Sequence, residues 1–236
     1  MPHVVKGLKH ASRRKDILDV AQRLVVETKG YEGMSIQDVL DELKISKGAF
    51  YHYFDSKGDL LEALIERMVE EAEPLLTEIV QDARLPALEK LQRFLDRAAR
   101  WKTARKSYLL ALLRIWYADE NAIVRDKLRA SAPQRFSPLL TEIIRQGIRE
   151  GVLTAAYPDQ AGAVVLSLVQ DLGDNFARML LDLQPESADL ARLASIVAAY
   201  TDAIEHVLGA PAGSLTVVQH ETISEWFEPA PSPVAA

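Results

Sequence analysis

Residues 35–57, SIQDVLDELKISKGAFYHYFDSK, constrain this chain more than any other stretch. Ser35 stands where an N-cap belongs. Asp38, three residues on, closes a capping box, and Met34 and Val39 flank the cap as a hydrophobic staple. Ile36, Val39, Leu40 and Leu43 follow at i, i+3, i+4 and i+7, the apolar stripe of a short amphipathic helix. Lys44, Ile45 and Ser46 then make a tight turn, with Ile45 pointing inward and Ser46 capping a second helix over 47–54. In that helix Phe50 and Phe54 lie one turn apart and share the inward face with Ile45. That leaves Lys47, Gly48, Ala49, Tyr51, His52 and Tyr53 at or near the surface.

A structural helix that leaves two tyrosines and a histidine outside is unusual, which weighs against a plain aromatic core helix. Gly48 costs a helix about 1 kcal/mol relative to alanine. It also removes bulk where a helix would approach base edges. Ala49 does the same and offers a methyl for thymine, while Lys47, Tyr51, His52 and Tyr53 carry donors that reach phosphate oxygens. Two short helices joined in this way form a helix-turn-helix whose second helix suits the DNA major groove. Ser56 and Asp59 then form a second capping box that opens another helix. Lys57 sits in its first turn, where a lysine and the free N–H groups together clamp a phosphate.

A net charge of −6 argues against a nucleic-acid binder, but its distribution reverses the argument. Residues 1–15 carry Lys6, Lys9, Arg13, Arg14 and Lys15 and no acid. Residues 1–60 hold 10 Lys and Arg against 9 Asp and Glu; the rest holds 18 against 25. A basic arm and near-neutral front end on an acidic body suit a protein that meets phosphate at one end. The spacing predicts a first helix over 13–29, capped by Ser12, buried through Ile17, Ala21, Leu24, Val25 and Thr28, and stopped at Gly30. Arg13 and Arg14 face the positive end of its dipole, either as a solvated basic start or compensated by a phosphate. The chain has no cysteine, so no thiolate chemistry, and no apolar run long enough to span a bilayer. Residues 1–15 lack the apolar core of a secretory signal. These features lead us to expect a cytoplasmic protein without a membrane partner.

Residues 13–68, above all GYEGMSIQDVLDELKISKGAFYHYFDSKGDLLEAL, resemble the DNA-binding domain of the TetR family of transcriptional regulators. Matched residue by residue, the resemblance implies phosphate contacts at Ser35, Ser46, Tyr51, His52, Tyr53 and Lys57. It implies base-reading positions at Lys47, Gly48 and Ala49.

The remaining chain reads as helical, giving an all-α protein of about nine helices. The expected division is a basic arm over 1–12, a three-helix DNA-binding domain over 13–58, an effector-binding and dimerisation domain over 59–209, and a partly disordered tail over 210–236. Pro74 is expected to kink or end the fourth helix. Further helices are expected over 86–102, 106–118 and 133–150. The one over 106–118, apolar on both sides, is expected to be central; in the one over 133–150, Pro138 marks either a later start capped by Ser137 or a bend. Two long helices, 159–182 and 188–208, are broken at Pro185. Their surplus of apolar surface and their small Ala191, Ala194, Ala198 and Ala199 suit pairing with a second copy as a four-helix bundle, the homodimer that the resemblance also implies. Residues 210–214 read as a flexible link. Residues 220–227 read as an amphipathic segment with Ile223, Trp226 and Phe227 on one side, and 228–236 as disordered.

Motifs for phosphate loops, dinucleotides or zinc hydrolysis are not found, and neither a cofactor nor a metal is expected. Trp101, Tyr108, Trp116, Tyr117, Phe176 and Met179, with Asn175 beside them, are candidates for the effector pocket that the resemblance implies; aromatic stripes at this spacing are also what a core supplies. Asp171, Asp174 and Arg178 share one face of their helix, as a ligand contact or as an i, i+4 pair in a polar stripe. The expected function is a homodimeric, ligand-responsive regulator, a repressor rather than an activator, on a palindromic double-stranded operator. A DNA-binding regulator controlled by a protein partner is the alternative, and a helical enzyme a weaker one, since the sequence shows no catalytic constellation.

Overall fold

The computed structural model describes residues 2–27, 33–117, 125, 129, 131–182 and 190–227, with the backbone alone given for 2–11, 114, 115, 182 and 190. The described residues form ten helices and no strand: α1 (Pro2–Glu27), α2 (Ile36–Leu43), α3 (Lys47–Tyr51), α4 (Lys57–Gln81), α5 (Ala87–Thr103), α6 (Lys106–Trp116), α7 (Ser131–Arg149), α8 (Pro158–Asp182), α9 (Leu190–Leu208) and α10 (His220–Phe227). The fold is all-α, as expected. The chain divides into two compact units, residues 1–70 with 105–131, and residues 71–104 with 132–236.

In the first unit α1, α2, α3, the start of α4 and α6 enclose one core. Ile17, Ala21, Val25, Met34, Val39, Phe50 and Leu60 are wholly buried in it. Ile36, Leu43 and Ile45 pack at its edge, which fits the stripe read from the sequence. Burying each such side chain is worth roughly 1.5–3 kcal/mol, so this core, more than helix propensity, holds the short α2 and α3. α1 begins at Pro2, well before Arg13. Pro2 suits a first helical position, and nothing after it but Gly7 interrupts the helix, so Ser12 does not serve as a cap. Thr28, Lys29 and Gly30 lie outside the described residues. α6 packs on α1 through the buried Tyr108 and Leu112. Leu109, Leu110 and Leu113 stay half-buried, so within this unit α6 is an amphipathic flank rather than a central helix.

The second unit corrects three expectations. α4 neither ends nor breaks at Pro74 but runs on to Gln81. Beside the proline the Thr77 hydroxyl donates to the Glu73 carbonyl at 2.8 Å, and Arg135 reaches the Glu73 carboxylate at 2.8 Å. α7 runs continuously from Ser131 through Pro138, so Ser137 does not cap a later start. α8 lies so close to α7 at Gly162 that a methyl there would run into the Ser137 carbonyl and the Thr141 hydroxyl. Residues 183–189, with the expected break at Pro185, lie outside the described residues.

The third correction concerns the segment after α9. Gly209 adopts a φ of 59°, open to glycine, and turns the chain back. The buried Glu205 carboxylate then accepts from the Gly213 and Leu215 N–H groups at 2.9 Å each. Gln92 on α5 exchanges two hydrogen bonds with the Thr216 backbone, at 2.8 and 3.0 Å. Leu215 and Val217 are buried, α10 buries Ile223 and Phe227, and Trp226 donates from Nε1 to Thr103 Oγ1 at 2.9 Å. Residues 210–219 are therefore a fastened strap, not a flexible link. Its apolar residues are too few and too short for periodicity to reveal them. Residues 228–236 lie outside the described residues.

Candidate nucleic-acid interface

Two caps set the turn. Ser35 Oγ accepts from the Asp38 N–H at 3.1 Å while the Asp38 carboxylate accepts from the Ser35 N–H at 2.6 Å, a complete capping box. That carboxylate titrates below the usual range, first because of the backbone bond from Ser35, then its hydroxyl, with Lys57 adding a favourable charge. Ser46 Oγ accepts from the Ala49 N–H at 3.2 Å and opens α3. Between the helices Lys44 closes α2 in the left-handed conformation, with φ 51° and ψ 45°, and the Ile45 N–H returns to the Leu40 carbonyl at 3.1 Å. This Schellman-type stop is normally marked by glycine or asparagine, so a lysine there carries no sequence signal.

α3 is shorter than expected and ends at Tyr51. The Tyr53 N–H bonds back three residues to Phe50 at 2.8 Å, a tightened final turn. Phe50 anchors the helix in the core, with Phe54 at 5.7 Å between ring centroids and Tyr51 edge-on at 5.5 Å. Because Phe50 points in, Lys47, Gly48, Tyr51 and His52 are exposed and Ala49 and Tyr53 half-exposed. Tyr51 leaves 41% of its surface to solvent. The Lys47 ammonium lies 5.8 Å over the Tyr51 ring, and the His52 and Tyr53 rings meet edge-on at 5.2 Å. A Cβ added to Gly48 would have no atom within 4 Å, so this glycine is not demanded by packing inside the protein. Ser56 Oγ accepts from the Asp59 N–H at 3.0 Å, and the Asp59 carboxylate takes the Asp55 N–H at 3.0 Å, one residue before the expected partner. Lys57 opens α4 half-buried.

Around this frame Arg23 pairs with Glu27 at 3.1 Å and Glu42 at 2.7 Å, tying α1 to α2, and Arg67 on α4 pairs with Asp19 at 2.6 Å. The Arg14 guanidinium lies 5.3 Å over the Phe54 ring, beside the end of α3. The nine candidate DNA-contacting residues thus fall on the N-cap of α2, the N-cap of α3, α3 and the two residues after it, and the start of α4.

The candidate pocket residues are not gathered in one unit. Tyr108, Trp116 and Tyr117 belong to the first, where Tyr108 is part of the core and Arg125 sits 5.8 Å over the Tyr117 ring. Trp101, Asn175, Phe176 and Met179 belong to the second. There Phe176 meets Phe227 of α10 edge-on at 5.9 Å, and Asn175 Nδ2 lies 3.2 Å from the Tyr200 hydroxyl. That hydroxyl donates to the Asp171 carboxylate, a bond that raises the Tyr200 pKa. Asp171 and Asn175 therefore join α8 to α9. Among the described residues no cluster of three or more His, Asp or Glu side chains could hold a metal.

Residues 17–64 match the family described as bacterial regulatory proteins, tetR family, and residues 115–182 match the tetracyclin repressor-like C-terminal domain. The chain belongs to the TetR family. An uncharacterised HTH-type transcriptional regulator from the lacX 3′ region of Lactococcus lactis subsp. lactis is 45% identical over 56 residues, 24% of this chain and 28% of that one. The HTH-type regulator YfiR of Bacillus subtilis is 27% identical over 205 residues, 84% of this chain and 94% of that one. A TetR-family regulator from Pectobacterium atrosepticum shares the fold, with a TM-score of 0.64 at 22% identity over 86% of this chain and 98% of the other. This TetR-family chain is a DNA-binding transcriptional regulator and not an enzyme. Among its described residues no helix is long and apolar enough to cross a membrane.

Proposed function

We propose that this TetR-family chain acts in the cytoplasm as a homodimeric repressor, reads a palindromic operator and is released from it by a small molecule. The observation that carries the reading is the exposed α3, whose small and donor-bearing residues face solvent while Phe50 fixes it to the core. In the proposed complex Lys47, Gly48 and Ala49 approach base edges. Ser35, Ser46, Tyr51, His52, Tyr53 and Lys57 hold the phosphates on either side. The functional division proposed is residues 13–58 for DNA and 59–209 for effector and dimer.

Dimerisation is supported by α8 and α9. Val164 is 43% exposed, and Ala191, Ala194, Ala198 and Ala199 line the outside of α9, where small side chains permit close approach of a second hairpin. The repressor and effector readings are supported by the match of residues 115–182 to a tetracyclin repressor-like domain. Trp101, Phe176 and Met179 offer apolar surface for a hydrophobic or aromatic effector. Such an effector acts through its difference in affinity for the DNA-competent and DNA-incompetent dimers.

A thermal-shift screen of hydrophobic and aromatic small molecules, followed by DNA binding with each hit, tests the effector reading. The expected result is a compound that raises the melting temperature and weakens DNA binding by about 5- to 150-fold, the usual range of coupling. Stabilising compounds that leave DNA affinity untouched would contradict it.

A further inference from the structure

We propose that Arg178 on α8 and Asp202 on α9 form a reciprocal lock between two copies of this chain, two ion pairs per dimer that select a second copy over other chains of the same fold. The inference rests on the homodimer proposed above and names the residues that set its register and its partner. α8 and α9 form an antiparallel hairpin. The Thr154 N–H, just before α8, donates to the Leu208 carbonyl at the end of α9 at 3.1 Å. Further along, the Tyr200 hydroxyl of α9 meets Asp171 and Asn175 of α8. The exposed stripe of α8 carries Val164, Ser167, Asp171 and Arg178 at helical spacing. On α9 Ala191, Ala194, Ala198, Asp202 and His206 are exposed. The Asp202 side chain leaves 71% of its surface to solvent, with the His206 ring 3.5 Å away. Among the described residues Arg178 has no ion pair. Its own Asp202 is out of reach: with Tyr200 level with residues 171–175, the two stand roughly 10 Å apart along the hairpin at 1.5 Å per residue.

A two-fold axis can bring up a second hairpin in two ways. An axis along the hairpin sets equal levels side by side and puts Asp171 beside the partner's Asp202, like charge against like. An axis across the hairpin, near the level of Asp174, sets opposite ends together. Arg178 then comes level with the partner's Asp202, and Val164 comes to the start of the partner's α9 at Ala191. The arginine and the acid exchange roles across the axis, so both pairs form at once. Enclosed among small side chains, such a pair counts for more than one at an open surface. A foreign chain with no acid at this level would leave Arg178 covered and unpaired, which makes the lock selective.

The test is charge reversal in the full-length protein, with dimerisation followed by sedimentation velocity over a dilution series. Arg178→Glu and Asp202→Arg should each raise the dimer dissociation constant by about 10-fold or more, since each sets two like charges face to face. Mixing the two variants should restore dimers, because the mixed dimer regains both opposite-charge pairs. The double variant Arg178→Glu, Asp202→Arg should likewise dimerise as wild type does. Single variants that dimerise like wild type overturn the lock and leave the homodimer standing. Weakened singles that neither mixing nor the double variant restores place each residue's role within its own protomer and overturn the pairing. A wild-type protein that sediments as a monomer throughout overturns the lock together with the homodimer reading. Should a reversal lose its helical circular dichroism, the neutral variants Arg178→Gln and Asp202→Asn make the comparison. Equal losses in the two singles and no further loss in the double support the pair, and strictly additive losses overturn it.

Discussion

Gly48 separates the demands of folding from those of recognition at a single residue. Nothing in the protein lies within 4 Å of a methyl placed there, so Gly48→Ala should stabilise the fold by about 0.5–1 kcal/mol, read from the urea midpoint. The same methyl would stand between α3 and the base edges, so DNA affinity should fall as stability rises. A variant that is more stable and binds as well as wild type would remove Gly48 from the interface. The capping serines and the inward Phe50 were legible because each follows from a local rule of spacing. Lys44 was not legible, since lysine is not a residue that favours the left-handed backbone it adopts there. Glu205 was equally hidden. A carboxylate on a helix reads as solvent-facing until the strap that folds back over it is known.

At the scale of elements, the caps and the strap are the joints that hold the helices in place. Asp38 is held below the usual carboxylate range, so its contribution to α2 is complete above about pH 4, the unfolded value, and is lost as pH falls through the lower folded value. Urea midpoints of wild type and Asp38→Asn, followed from pH 6 downward, should therefore converge below about pH 4. A constant gap across that window would deny the carboxylate its role. At the other end of the chain, Glu205→Ala leaves the Gly213 and Leu215 N–H groups without their acceptor. A loss of about 2–4 kcal/mol is expected, with new proteolytic cleavage beyond Gly209. Unchanged stability and an unchanged digest would show the strap to be held by its apolar residues alone. The periodicity of the sequence placed most helices, because the buried positions of α2, α5 and α9 repeat at helical spacing. It did not exclude a helix that ends at Pro74 or one that starts at Ser137, whereas both helices continue through their prolines.

The whole molecule is a TetR-family regulator with a recognition helix at one end of the sequence and a long helical hairpin near the other. The proposed division of labour rests on charge: the surplus of acid lies after residue 60, and the stretch before residue 16 has none. The sequence could not tell pocket from core, because an aromatic side chain at helical spacing looks the same in a core and in a cavity wall. Tyr108 shows the difficulty, since it serves the core of the first unit. The central claim, two copies of α3 reading related half-sites from a homodimer, is tested most directly by selecting binding sites from a random duplex library with the purified protein. The account predicts an enriched palindrome whose half-site centres are about 10–10.5 base pairs, or a multiple of that, apart. Enrichment of a lone half-site, or no enriched sequence from a protein that still binds DNA, would contradict it.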